Sequence, residues 1–279
     1  MTEEIQISTF NDALNALNTV SEQFKIDVLI PSLNKTLTFK EIDAKQQKSL
    51  LSAAMDNSVY NNEFVKIFYQ ILKDNILNED NAIIDTLNVV DKNLIGISLR
   101  SQISNELTVN FTEDFSGKID LTNVISKFLG YVTPKNEQIE LKNDSVTLVL
   151  DIKLPTILDE VSYEQNFHKN YKDVSDLKTN DDVKKLVSDA FIAEISKYVS
   201  SIEINSKNIS FSTLSFLEKI KIIEKIPSGL IQKVLQKISD WKKDIDSILT
   251  VSSNDVIDGK VSETELKKTI SVDSLLFLN

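Results

Sequence analysis

No cysteine occurs anywhere in the chain. Disulfides, thiolate metal sites and cysteine nucleophiles are therefore excluded. The single histidine, His168, rules out a multi-histidine metal centre. Five glycines and four prolines in 279 residues leave few hinges and no flexible linker, which favours long helices joined by polar turns. The same scarcity removes any Gly-rich phosphate loop of the usual kind. No apolar run approaches the ~18 residues needed to span a bilayer, and the acidic start MTEEIQISTF is too weakly apolar for a secretory signal. The expectation is a soluble protein that stays where it is made. Arginine is almost missing too: Arg100 stands alone among 31 Lys and Arg residues.

What is present is a core and an acidic surface. The 41% apolar content suffices for packing, and the net charge of −11 speaks against a nucleic-acid partner, because phosphates need a basic face. A lysine-rich stretch from Leu217 to Lys243 is read as the solvated face of helices.

Periodicity supplies the elements. Phe10, Ala13, Leu14, Leu17 and Val20 lie at helical spacing, so residues 1–24 read as an amphipathic helix that packs on the body or docks on a partner. From Ile26 an apolar strand runs to Pro31-Ser32, turns at Asn34-Lys35, and returns as Thr36 to Ile42. Asp43 then caps a helix with Gln46 at N3, and Leu50, Leu51, Ala54 and Met55 are its expected buried stripe. Phe64, Ile67, Phe68, Ile71 and Leu72 mark the next helix, worth on the order of 10 kcal/mol of apolar burial before entropy is subtracted. Asp91 is read as the cap of a helix reaching Arg100. The period then becomes two, and Leu107, Val109, Phe111, Ile119, Leu121, Ile139 and Leu141 predict a small antiparallel sheet over about 107–153 that Pro155 ends. The second half reads as helical: a helix capped by Asn180 or Asp181, a brief strand at Ile202–Ile204, and helices over 214–226 and 227–249, with Pro227 in the first turn. The fold class is α+β, predominantly helical with a small antiparallel sheet in mid-chain. The expected division is 1–160, an α+β part, and 161–279, a mainly helical part with a terminal β-hairpin.

These elements carry a resemblance. The block IDVLIPSLNKTLTFKEIDAKQQKSLLSAA (residues 26–54) is similar to the start of the baseplate hub proteins of T-even-like contractile-tailed bacteriophages. Asp91-Lys92-Asn93-Leu94 and Leu99-Arg100-Ser101 follow in the family's order. So do Lys118–Val124, Ile139-Glu140-Leu141, Leu154-Pro155, Phe216-Leu217-Glu218 and Pro227. Many relatives carry cysteine pairs in mid-chain and near the end, and this chain departs from them in having none. The resemblance implies a non-enzymatic hub component or hub assembly factor. Its implied partners are other hub and tail proteins, with self-association in the assembly as a further form. Its implied places are the host cytoplasm during assembly and the virion tail baseplate.

No catalytic, cofactor or metal residue is assigned. Phe10, Leu14, Leu17 and Arg100 are the interface candidates. Arg100 also has a structural reading, an ion pair with Asp91. NDVIDGKVSETE (residues 254–265) imitates a calcium loop through Asp258, Gly259 and Glu265, with Asn254 in place of the first aspartate and Val256 where a ligand belongs. Calcium binding is the alternative function on that ground, with flanking helices, and a turn between strands at Thr250-Val251 and Ile270–Val272 explains the same residues. A carboxylate-based hydrolase is the remaining alternative, although no pair stands out among 42 acidic residues. His168 is read as exposed or capping.

Overall fold

A computed structural model describes residues 9–21, 23–55, 63–142, 144–170, 179–258 and 264–271. Strands β1 (Lys25–Ile30) and β2 (Lys35–Lys40) pair antiparallel with Ile26 opposite Phe39 and Ile30 opposite Lys35. The turn between them uses Asn34 at φ 48°, a left-handed conformation that asparagine tolerates better than most residues. Before the hairpin lies α1 (Phe10–Ser21). After it comes α2 (Ala44–Ala54), capped as the sequence predicts: Gln46 N donates to Asp43 Oδ1 at 2.7 Å and Asp43 N donates to Gln46 Oε1 at 3.1 Å. Its buried residues are Leu50 and Ala53, whereas Leu51 and Met55 face outward. The expected stripe was rotated because only one narrow strip of α2 meets α3 (Glu63–Asn75). Phe64, Val65, Phe68, Ile71 and Leu72 of α3 are buried.

Beyond a 3-10 turn at Asn81–Thr86, α4 (Val89–Ile103) runs through the middle of the molecule. It is buried on every face from Leu94 to Arg100, so no amphipathic stripe marks it. Its cap is Asn88 and not Asp91. Asn88 Oδ1 accepts from Val90 N and Asp91 N, while the Asp91 carboxylate, at N3, accepts from Asn88 N at 3.0 Å. An acid at N3 completes a capping box, and a three-residue error in reading the start follows from that equivalence.

The mid-chain sheet is two sheets. Strands β3 (Glu106–Asn110) and β4 (Ser116–Asp120) pair with each other, and β4 also takes β10 (Val256–Asp258) from near the C-terminus. Leu121, expected in a strand, opens helix α5 (Leu121–Leu129) behind the Asp120 cap. The second sheet runs β5-β6-β7-β8: β5 (Glu137–Lys142), β6 (Thr147–Ile152), β7 (Val199–Ile204) and β8 (Lys207–Ser210). Between β6 and β7 lie α6 (Ile157–Asn170) and α7 (Asn180–Ser196), the latter capped by Thr179 with Asp182 and not by Asn180 or Asp181. The boundary expected at 160 therefore falls inside α6, and the sheet crosses it through the β6–β7 pairing from Leu148 to Ile152.

Helices α8 (Phe216–Ile223) and α9 (Ser228–Leu249) follow, with Pro227 as the residue that enters α9. Strand β9 (Thr250–Ser252) pairs antiparallel with β11 (Lys267–Thr269). One hydrophobic core runs from Ile26 to Ile270 and includes the buried rings of Phe39, Phe68, Phe128, Phe211 and Trp241. A satellite cluster of Phe167, Leu186, Ala193 and Ile220 joins α6, α7 and α8.

Candidate interaction surface

Three of the sequence segments that carry the resemblance meet at the N-terminus of α4. Ser32, from the turn after β1, donates its hydroxyl to Asp91 Oδ2 at 2.7 Å. Val89 N donates to the carbonyl of Pro155 at 3.1 Å, and Ile157 N donates to the carbonyl of Leu87 at 2.8 Å. One turn further along, Lys92 Nζ lies 2.7 Å from Glu160 Oε2 of α6. Asp91 is fully buried, and burial pushes its carboxyl pKa up, against the hydrogen bonds from Ser32 and Asn88. Among the described residues its Oδ1 has no hydrogen-bond partner. Pro31-Ser32, Asp91 and Leu154-Pro155 thus form a joint that fixes the hairpin, the central helix and the closing end of β6 to one another. Their chemistry goes into holding the fold.

Arg100 belongs to the same structural category. It is 3% exposed, at the opposite end of α4 from Asp91, so the two do not pair: nine residues of helix separate them by ~13 Å. Its Nη1 donates to the Ser104 carbonyl at 3.0 Å and its Nη2 to the Glu106 carbonyl at 3.5 Å. The guanidinium thereby closes the C-terminus of α4 onto the start of β3, and burial pulls its pKa down. Sequence placed it among the interface candidates; the fold puts it inside.

The other three candidates lie on the surface. Phe10, Leu14 and Leu17 of α1 are 77%, 44% and 64% exposed. They stand at i, i+4 and i+7 and therefore share one helix face. Thr9 and Asp12 exchange hydrogen bonds at the start of the helix, Thr9 N to Asp12 Oδ2 at 2.9 Å and Asp12 N to Thr9 Oγ1 at 3.1 Å. The helix is thus well started, yet its apolar face is turned to solvent.

The lysine-rich stretch is only partly solvated. Lys237 Nζ lies 2.6 Å from Glu137 of β5, and Lys242 Nζ lies 3.2 Å from Glu194 of α7. These pairs lace α9 to its neighbours.

In the calcium-like stretch, Gly259, Val261 and Ser262 lie outside the described residues. Asn254 sits in a 3-10 turn, and Asp258 ends β10 opposite Lys118. Glu265 accepts from the Ser252 hydroxyl at 3.1 Å and lies 3.6 Å from Lys267 Nζ. The flanks are strands β9 and β11 in register Thr250 with Thr269, not helices, because the segment after α9 joins sheets at both ends. No group of three or more acidic or histidine side chains that could hold a metal exists among the described residues. His168 falls in α6, and its side chain lies outside the described residues. No described helix is long and apolar enough to cross a membrane.

No curated protein and no solved structure matches the chain. Residues 22–269, most of the chain, match the family model described as T4 bacteriophage base plate protein, and the chain belongs to that family.

Proposed function

We propose that the protein is a non-catalytic component or assembly factor of the baseplate hub that works through protein–protein contacts. The observation that carries this reading is the apolar face of α1. Burying a Leu or Phe side chain is worth about 1.5–3 kcal/mol, and a helix that leaves Phe10, Leu14 and Leu17 in water forgoes that gain until a partner covers them. An amphipathic helix laid into a groove of another protein is a common recognition mode, read through anchors at this spacing. The charge of −11 opposes premature self-association before that partner arrives.

The test is Leu14→Asp with Leu17→Asp in one chain. Exposed positions contribute about 0.5 kcal/mol or less to folding, so the unfolding midpoint should hold while complementation of baseplate assembly fails. Full complementation by a triple variant that adds Phe10→Asp would refute the contact. Mass spectrometry of purified particles separates the two versions: presence in the virion marks a component, absence an assembly factor.

A further inference from the structure

A cavity of about 580 Å³ opens where α6, the turn between α7 and β7, and the segment from β8 into α8 come together. Its wall is amphipathic. Leu158, Val199, Phe211, Leu214 and Phe216 supply apolar surface, and the Tyr163 ring stands edge-on to Phe216 at 6.3 Å between centroids. Three lysines line it, Lys153, Lys197 and Lys219, against one carboxylate, Asp159. In a strongly acidic protein this recess has the opposite sign.

Two of the lysines are already committed. Lys153 Nζ lies 2.6 Å from Asp159 Oδ2, and the same oxygen accepts from Thr156 N at 2.9 Å and from the Thr156 hydroxyl at 3.0 Å. Lys197 Nζ lies 2.6 Å from Glu194 Oε2 and sits 4.5 Å above the Tyr163 ring. The Lys219 ammonium has no hydrogen bond or ion pair among the described residues, although its backbone N–H donates to the Ser215 carbonyl at 3.0 Å. Burial lowers its pKa; Asp159 opposes that shift and Lys153 adds to it. A half-buried cation whose one lining carboxylate, Asp159, is already paired with Lys153 is costly, and a bound anion would reduce that cost.

We propose that this cavity takes a carboxylate carried on an apolar residue of a partner's peptide segment, with Lys219 as the ion pair and the wall of Leu158, Phe211 and Phe216 holding the apolar body. The volume suits a group of that size and exceeds what a bare ion fills. Apolar walls favour a carboxylate with a hydrocarbon body over inorganic phosphate, which needs several charged donors. The proposal deepens the assembly reading and rests on it only for the source of the carboxylate.

The probe is N-acetyl-L-phenylalanine, titrated into the full-length isotope-labelled chain and followed by NMR. Expected are saturable shifts at Lys219, Val199 and Phe216 with a Kd on the order of 1 mM. N-acetyl-L-phenylalaninamide should bind at least ten times more weakly to the unmodified chain. Lys219→Met should lose binding to the same degree, and Lys219→Arg should keep it. Equal binding of the amide, unchanged binding by Lys219→Met, or the same shifts from inorganic phosphate would each overturn the proposal. Because the titration uses the isolated chain, its failure leaves the α1 assembly test untouched.

Discussion

Removing the Asp91 carboxylate is the sharpest probe of how this fold is held. The carboxylate serves two donors at once, the Ser32 hydroxyl at 2.7 Å and the Asn88 backbone N–H at 3.0 Å. Losing half of a capping box costs about 1 kcal/mol. Losing a hydrogen bond to a charged group costs about 1.5–3 kcal/mol, here at the low end because Ser32 is exposed and water replaces it. Against this stands relief from the cost of desolvating a buried charge whose Oδ1 has no hydrogen-bond partner among the described residues. The balance for Asp91→Ala is a loss of about 2 kcal/mol, or roughly 4–8 °C in Tm for a chain of this size. Asp91→Asn keeps an acceptor for both donors and discards the charge, so it should stay within about 1 kcal/mol of the parent. Chemical denaturation of both variants, with Ser32→Ala to close a double-mutant cycle, measures these terms. Parent-like stability of Asp91→Ala would refute the joint. Equal damage from Asp91→Asn would show that the charge, and not the acceptor geometry, holds it. The pH dependence has a definite sign. Burial raises the folded pKa above the unfolded one, so the native state keeps a proton that the unfolded chain releases. Stability therefore falls as pH rises from about 4 through the folded value, and Asp91→Asn removes that slope.

Other expectations follow from separate features. Glu194 behaves oppositely: burial pushes its carboxyl up, but Lys197 and Lys242 outweigh it and hold the pKa low, so stability present above pH ~4.3 is lost as pH falls further. Glu194→Gln should flatten that acid limb in urea titrations at pH 3–6. Gly117 of β4 leaves room for Val256, since a Cβ there would lie 2.6 Å from Val256 Cγ1. Gly117→Ala should cost about 1–3 kcal/mol by calorimetry, and pairing it with Val256→Ala should recover part of the loss. If Gly117→Ala is neutral, β10 does not pack on β4 as described.

Local chemistry was legible in the residues themselves. The Asp43–Gln46 capping box, the hairpin of β1 and β2 and the buried face of α3 depend on neighbours within a few positions, so pattern alone specifies them. The order of the motif segments also sufficed to point to the family. What pattern could not supply were contacts between distant segments. Helix α4 has no stripe because every side of it is covered, and its pattern puts the start three residues late because an acid at N3 and an acid at the N-cap look alike in sequence. Strand β10 leaves the C-terminal region to join β4, and β6 reaches past two helices to pair with β7, so one expected sheet became two. The buried stripe of α2 differs from the one its pattern predicts because burial depends on which side α3 approaches from. Arg100 shows the limit most clearly. Sequence gave its charge and its rarity, both compatible with an interface anchor. Only the packing of β3 beneath the end of α4 decided that its guanidinium serves backbone carbonyls inside. Phe10, Leu14 and Leu17 are the converse case: their spacing defined a face, and the tertiary structure left that face uncovered, because burial is a property of the whole chain's arrangement and not of any segment's period.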